Sequence, residues 1–119
     1  MRVAVPTSDC RTPSSHGPRE GLFLIVDVDE HGHAAVKECR KVSAEHPHHD
    51  SEGANEDEVS HARWHLAVLN TLKDVDIVVA SHMGPVMVRA LTAMGKRVVT
   101  GVELRELGDV VHIAKEMGA

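Results

Sequence analysis

Residues 45–65, EHPHHDSEGANEDEVSHARWH, carry five of the ten histidines in a chain of 119 residues. Neutral imidazole binds transition metals, and its charge changes near physiological pH. His61 and His65 stand four residues apart, so on a helix they share one face and can direct two ring nitrogens at one metal ion. The other reading of the pair is that each histidine hydrogen-bonds to a nearby carbonyl or carboxylate and fills the boundary of the core. His46, His48 and His49 flank Pro47 in a short histidine tract of a kind that binds metal ions, or that is simply a solvated loop.

A second group lies in ASHMGP, residues 80–85. An apolar run there gives way to Gly84 and Pro85, which read as the start of a helix. The first backbone N–H groups of such a helix are unpaired and favour anions. Ser81 and His82 add side-chain donors and Met83 a soft thioether, unless the segment is an ordinary tight turn with Met83 packed inward. Cys10, beside Asp9, is either a thiolate ligand or a free buried thiol. No CxxC spacing exists, so no redox or zinc-ribbon motif is expected. Ser8, Asp9 and a histidine make no recognisable triad without a GxSxG elbow, and MGP is too short to be a phosphate-binding glycine loop.

The bulk composition narrows the partners. A net charge of −5 without a long Lys/Arg cluster argues against nucleic acid. Protonating all ten histidines would carry the charge from −5 to +5, so the surface changes character strongly below about pH 6. Apolar residues at 42% with aromatics at only 2% fit Val-rich strands in an α/β domain spanning 1–119. No run is long enough to span a bilayer. Two cysteines and an N-terminus that enters directly into an apolar run point to a reducing cytoplasm.

These residues need elements to position them. RVAVP (2–6) is a short buried strand, followed by a Pro/Gly/Ser loop over 7–21 and a second strand over 22–29. A hairpin-sized turn leads to a third strand at 33–42, whose charges on both faces suggest a sheet edge. A helix runs from about Glu56 to Lys73, with Asn55 and Glu58 spaced as a capping box. A buried strand at 76–81, a helix from Pro85 to Gly95, a strand at 97–101 and a helix near 109–117 complete the chain. Right-handed crossovers then give a mixed five-stranded sheet in the order 3-2-1-4-5, with strand two antiparallel to its neighbours. In that layout Cys10, His16, His46, His48, His49, His61, His65 and His82 fall at one end, beside a topological switch point. His31 and His33 fall at the other.

The segments MRVAVPT, SSHGPREGLFLIVDVD and VDIVVASHMGPVMVRALTAMGKRVVTG together resemble the dinitrogenase iron–molybdenum cofactor biosynthesis family. The likeness runs from residue 1 to about 101 and is weakest across 40–58. His16, Arg19, Phe23 and Asp27 match the family's pattern, and Ser81-His82-Met83-Gly84-Pro85 meets its Gly-Gly-x-Gly-Pro turn. Two departures stand out: Gly17 replaces an aromatic, and Ser81-His82 replaces a glycine pair. The resemblance implies a ribonuclease-H-like α/β fold and the binding or carrying of iron–molybdenum or other metal–sulfur clusters.

The expected function is therefore a non-enzymatic binder or carrier of a metal ion or an anionic metal–sulfur cluster. His61, His65, His82, His49, His48, His46 and Cys10 are the candidate metal ligands. His16, Ser81, His82, Met83 and Gly84 are the candidate cluster contacts. Its partners would be the metal or cluster and a cofactor-assembly or acceptor protein, with neither nucleic acid nor membrane involved. Two alternatives stand beside it: a small-anion module at the 81–85 turn that works without metal, and a metal-dependent hydrolase.

Overall fold

The structure, a computed structural model, describes residues 1–43 and 54–118, and of residues 54–60 the backbone alone. Val-rich runs form β1 (Arg2–Pro6), β2 (Leu22–Val28), β4 (Ile77–Val79) and β5 (Arg97–Val99), with β3 (Ala34–Lys41) at the edge. The sheet has five strands in the order β3-β2-β1-β4-β5. β2 runs antiparallel to β1 and β3, whereas β4 lies parallel to β1 and to β5. This is the expected order and sense of every pairing.

Three helices cover the sheet: α1 (Ala54–Thr71), α2 (Pro85–Ala93) and α3 (Leu107–Glu116). Trp64 and Val68 of α1, Leu72 just after it, and Met87 and Leu91 of α2 pack on Ala4, Phe23, Ile25 and Val78. Val110 and Ala114 of α3 pack on Val3, Val5, Leu24, Val26, Ile77 and Val79 from the opposite face. Alternate residues of β1 and β2 thus feed two cores, which is why these strands read as continuous apolar runs. Both crossover helices lie on one face because β1→α1→β4 and β4→α2→β5 step in one direction with one handedness.

The boundaries differ from expectation by a residue or two. Helix α1 begins at Ala54, which puts Asn55 inside the first turn instead of ahead of it. Helix α3 starts at Leu107, two residues early, because the Asp109 carboxylate accepts hydrogen bonds from the N–H groups of Arg105 and Glu106 at 2.9 and 3.2 Å. On the edge strand the register shifts between Ile25 and Val26, leaving Lys37 as the extra residue of a bulge. A bulge carrying lysine blunts an exposed edge against pairing with another strand.

The cysteines depart most from expectation. Cys10 and Cys39 form a disulfide, and Cys10 is exposed. Cys10 is therefore not the free buried thiol that was one of its two expected readings. Cys10 is also corrected as a metal ligand, since a sulfur bonded to another sulfur offers no thiolate.

Candidate metal and cluster site

The upper end of the sheet gathers the loop after β1, the turn after β4 and the N-terminal half of α1. Two contacts lock the first two together and tie in the third. Gly17 adopts φ 80°, and a Cβ there would collide with the carbonyl oxygen of His82. A Cβ on Gly21 would meet the Trp64 ring of α1 at 3.3 Å. The chain from Gly17 to Gly21, including a 3-10 turn over Pro18–Glu20, therefore bridges the His82 turn and α1.

The loop after β1 holds its own shape. Asp9 accepts from the N–H groups of Arg11 and Thr12, both at 2.8 Å, and from the Thr12 hydroxyl at 2.9 Å. These bonds hold the Asp9 carboxyl well below the usual carboxylate range. Ser14 is buried, its N–H donating to the Pro6 carbonyl at 2.7 Å and its Oγ accepting from the His16 N–H at 3.1 Å. His16 itself is exposed.

On α1, Trp64 and Val68 are buried, and His61 and His65 lie at the margin of the same stripe, each half-buried. Their ring centroids are 6.3 Å apart with the planes tilted by 55°. Two imidazoles sharing one tetrahedral ion bring their centroids to roughly 5 Å, so a modest side-chain rotation closes the pair on one metal. The His65 pKa lies below its ordinary value, chiefly through burial and secondarily through His61. His65 is therefore kept neutral, as a ligand must be.

At the β4–α2 turn, Pro85 is the first residue of α2, Gly84 precedes it with extended backbone, and among the described residues no side chain caps the helix. None of the described residues lies within 4 Å of where a Cβ on Gly84 would stand. His82 is exposed and Ser81 half-buried. Met83 has only 8% of its surface exposed and packs in the core cluster with Trp64 and Met87. Its thioether belongs to the core, so what Met83 presents to this turn is backbone.

The structure thus brings His16, Ser81, His82 and Gly84 to one end through the Gly17 contact, and it sets His61 and His65 side by side. Among the described residues, no three His, Cys, Asp or Glu side chains are placed to hold a metal ion together. In this conformation neither His82 nor His16 completes the pair as a third ligand. His46, His48 and His49 lie outside the described residues. His31 and His33 sit on the β2–β3 hairpin at the far end, beside Asp29, which accepts from both of their N–H groups. The residue that sequence reasoning missed is Gly17. Departures at 17 and at 82 were both visible, but not that the two positions touch.

The model of the dinitrogenase iron-molybdenum cofactor family matches residues 1–117. The chain belongs to that family. Among solved structures it is similar to the crystal structure of PH0822, at 24% identity and a TM-score of 0.60. The likeness covers 96% of this chain and 89% of that one, and at this identity it speaks to fold alone. The search of curated proteins found no match. Among the described residues, no helix is long and apolar enough to cross a membrane.

Within the family pattern, the two departures meet in space. Where an aromatic would stand, Gly17 presents bare backbone to His82. Where small glycines would stand, His82 adds an imidazole.

Proposed function

We propose that the protein, as one domain over 1–119, binds or carries an anionic metal–sulfur cluster of the iron–molybdenum type, or a metal ion, at the upper end of its sheet. The observation that carries this reading is the His61–His65 pair: adjacent, half-buried, with His65 held neutral. Two adjacent imidazoles suit a cargo that arrives with most of its coordination already satisfied, since a bare zinc ion asks for four ligands. Imidazole donors also fit zinc, copper, nickel or iron. The uncapped N-terminus of α2, beside His82 and the open Gly84, supplies amide donors for the cargo's negative charge. His16 stands by the same turn. His46, His48 and His49 would raise the local metal concentration or close over the cargo.

The ribonuclease-H-like label goes with this proposal, and the strand order is what supports it. So does a cytoplasmic setting, together with a cofactor-assembly or acceptor protein to receive the cargo. The proposal assigns no catalysis. A second reading, anion binding at the 81–85 turn without metal, draws on the same uncapped helix.

The test is elemental analysis and an absorption spectrum of untagged protein prepared without oxygen or chelator, followed by titration with zinc and with a metal–sulfur cluster. Binding should be lost when His61, His65 and His82 are replaced together. Uptake of neither cargo at pH 7.5, or uptake undiminished in the triple variant, would refute it. Tight anion binding in the presence of chelator would favour the second reading.

A further inference from the structure

We propose that the Cys10–Cys39 disulfide is a reversible clasp, opened by thiol–disulfide exchange in the folded protein, that sets how firmly the His16-bearing loop is held to the sheet. The bond joins residues 29 apart in sequence and links the loop after β1 to the edge strand β3, where Cys39 lies opposite Leu24. Cys10 is exposed, which leaves its Sγ open to attack, while Cys39 is half-buried and packs against the core under α3. Cys10 also sits at φ 59°, the only described residue other than glycine in the left-handed region. A side chain with a Cβ occupies that region at a cost that its surroundings must hold. Exposed disulfides are among the labile and regulatory ones.

The loop keeps other ties when the bond opens. Asp9 organises residues 9–12, Thr7 pairs with Pro13, Ser14 is tied to Pro6, and Gly17 is docked on His82. Opening the clasp therefore removes one tie between the stretch around Cys10 and the end of β3 and loosens both, while the β2–β3 pairing and both cores stay intact. In the exchange, a thiolate of a dithiol reductant attacks Cys10 Sγ. The sulfur–sulfur bond breaks with its electron pair going to Cys39 Sγ, which takes up a proton. The second thiol of the reductant then displaces Cys10, which leaves as a thiol. The reductant departs as its own disulfide, so two electrons and two protons have moved to the protein. None of this rests on the metal-binding proposal.

The experiment equilibrates the full chain in buffers of reduced and oxidised dithiothreitol, traps thiols by alkylation, and reads mass, far-UV circular dichroism and amide hydrogen exchange. Both cysteines should be labelled while the dichroism is retained, and reoxidation should restore the starting mass. Exchange should quicken about tenfold or more at 8–12 and 38–41, with 77–79 unchanged. The double variant Cys10→Ser/Cys39→Ser should fold and show the reduced pattern without reductant. Reduction only on unfolding, a double variant that does not fold, or unchanged exchange at both segments would each overturn the clasp.

Discussion

At the scale of single residues, Gly17 and His65 make the most direct claims. Gly17→Ala places a Cβ against the His82 carbonyl from a backbone at φ 80°, which L-residues rarely adopt. It should destabilise the fold by about 1–3 kcal/mol in urea denaturation and displace the His82 turn. For His65 the sign follows from its lowered pKa. The unfolded chain binds a proton near pH 6.5 and the folded one only at lower pH. Its stabilisation is complete above pH 6.5 and is lost as pH falls through the folded value. NMR titration should find the His65 midpoint below the ordinary range, and His61→Ala should move it upward by removing one of its two causes. If the pair are ligands, His61→Leu/His65→Leu should abolish metal or cluster uptake while preserving or raising the stability of the metal-free fold. If they are satisfied structural groups, the same change should cost stability and leave uptake intact. Denaturation with and without zinc separates the two.

Between elements, polar groups tie the strands to the turn after α1 and hold the frame that keeps the upper end in place. The Asp74 carboxylate, in the turn between α1 and β4, accepts from Arg2 of β1 and from Arg40 of β3, each at 2.6 Å. Arg40 first and Arg2 after it hold the Asp74 carboxyl well below its usual range. A depressed carboxyl stabilises the fold above its unfolded value near pH 4 and loses that contribution as pH falls through the folded one. Asp74→Asn should therefore cost about 1 kcal/mol at pH 7, a figure discounted for the exposure of all three groups, and progressively less as the pH is taken below 4. Denaturation curves at a series of pH values measure the difference. Lys96 is buried with its ammonium donating to the carbonyls of Lys73 and Val75 at 2.9 and 2.7 Å. Lys96→Met should cost about 1–3 kcal/mol by leaving both carbonyls unpaired, read from the same kind of curve.

For the whole molecule, cargo affinity should fall as pH drops through about 6, because protonated imidazole is no ligand. A binding titration from pH 8 to 5 tests this, and an unchanged affinity would remove the histidines from the site. Much of the architecture was legible in the chain itself. Apolar runs of strand length, Gly84-Pro85 at a helix start and a hairpin-sized turn at 30–33 are local signals. The handedness of crossovers converts them into one strand order. The inward phase of His61 and His65 was equally legible, since it follows from helical period alone. What only the tertiary structure decided are the contacts between segments far apart in sequence. The Cys10–Cys39 bond spans 29 residues and leaves no spacing signature. Met83 could be donor or core until Trp64 and Met87 were seen to enclose it. The docking of Gly17 on His82 joins two loops separated in sequence by β2, β3, α1 and β4. Periodicity and turn chemistry report what a residue does with its neighbours along the chain. Which backbone a glycine faces, or which thiol a cysteine meets, is settled only when the sheet brings distant loops to one end.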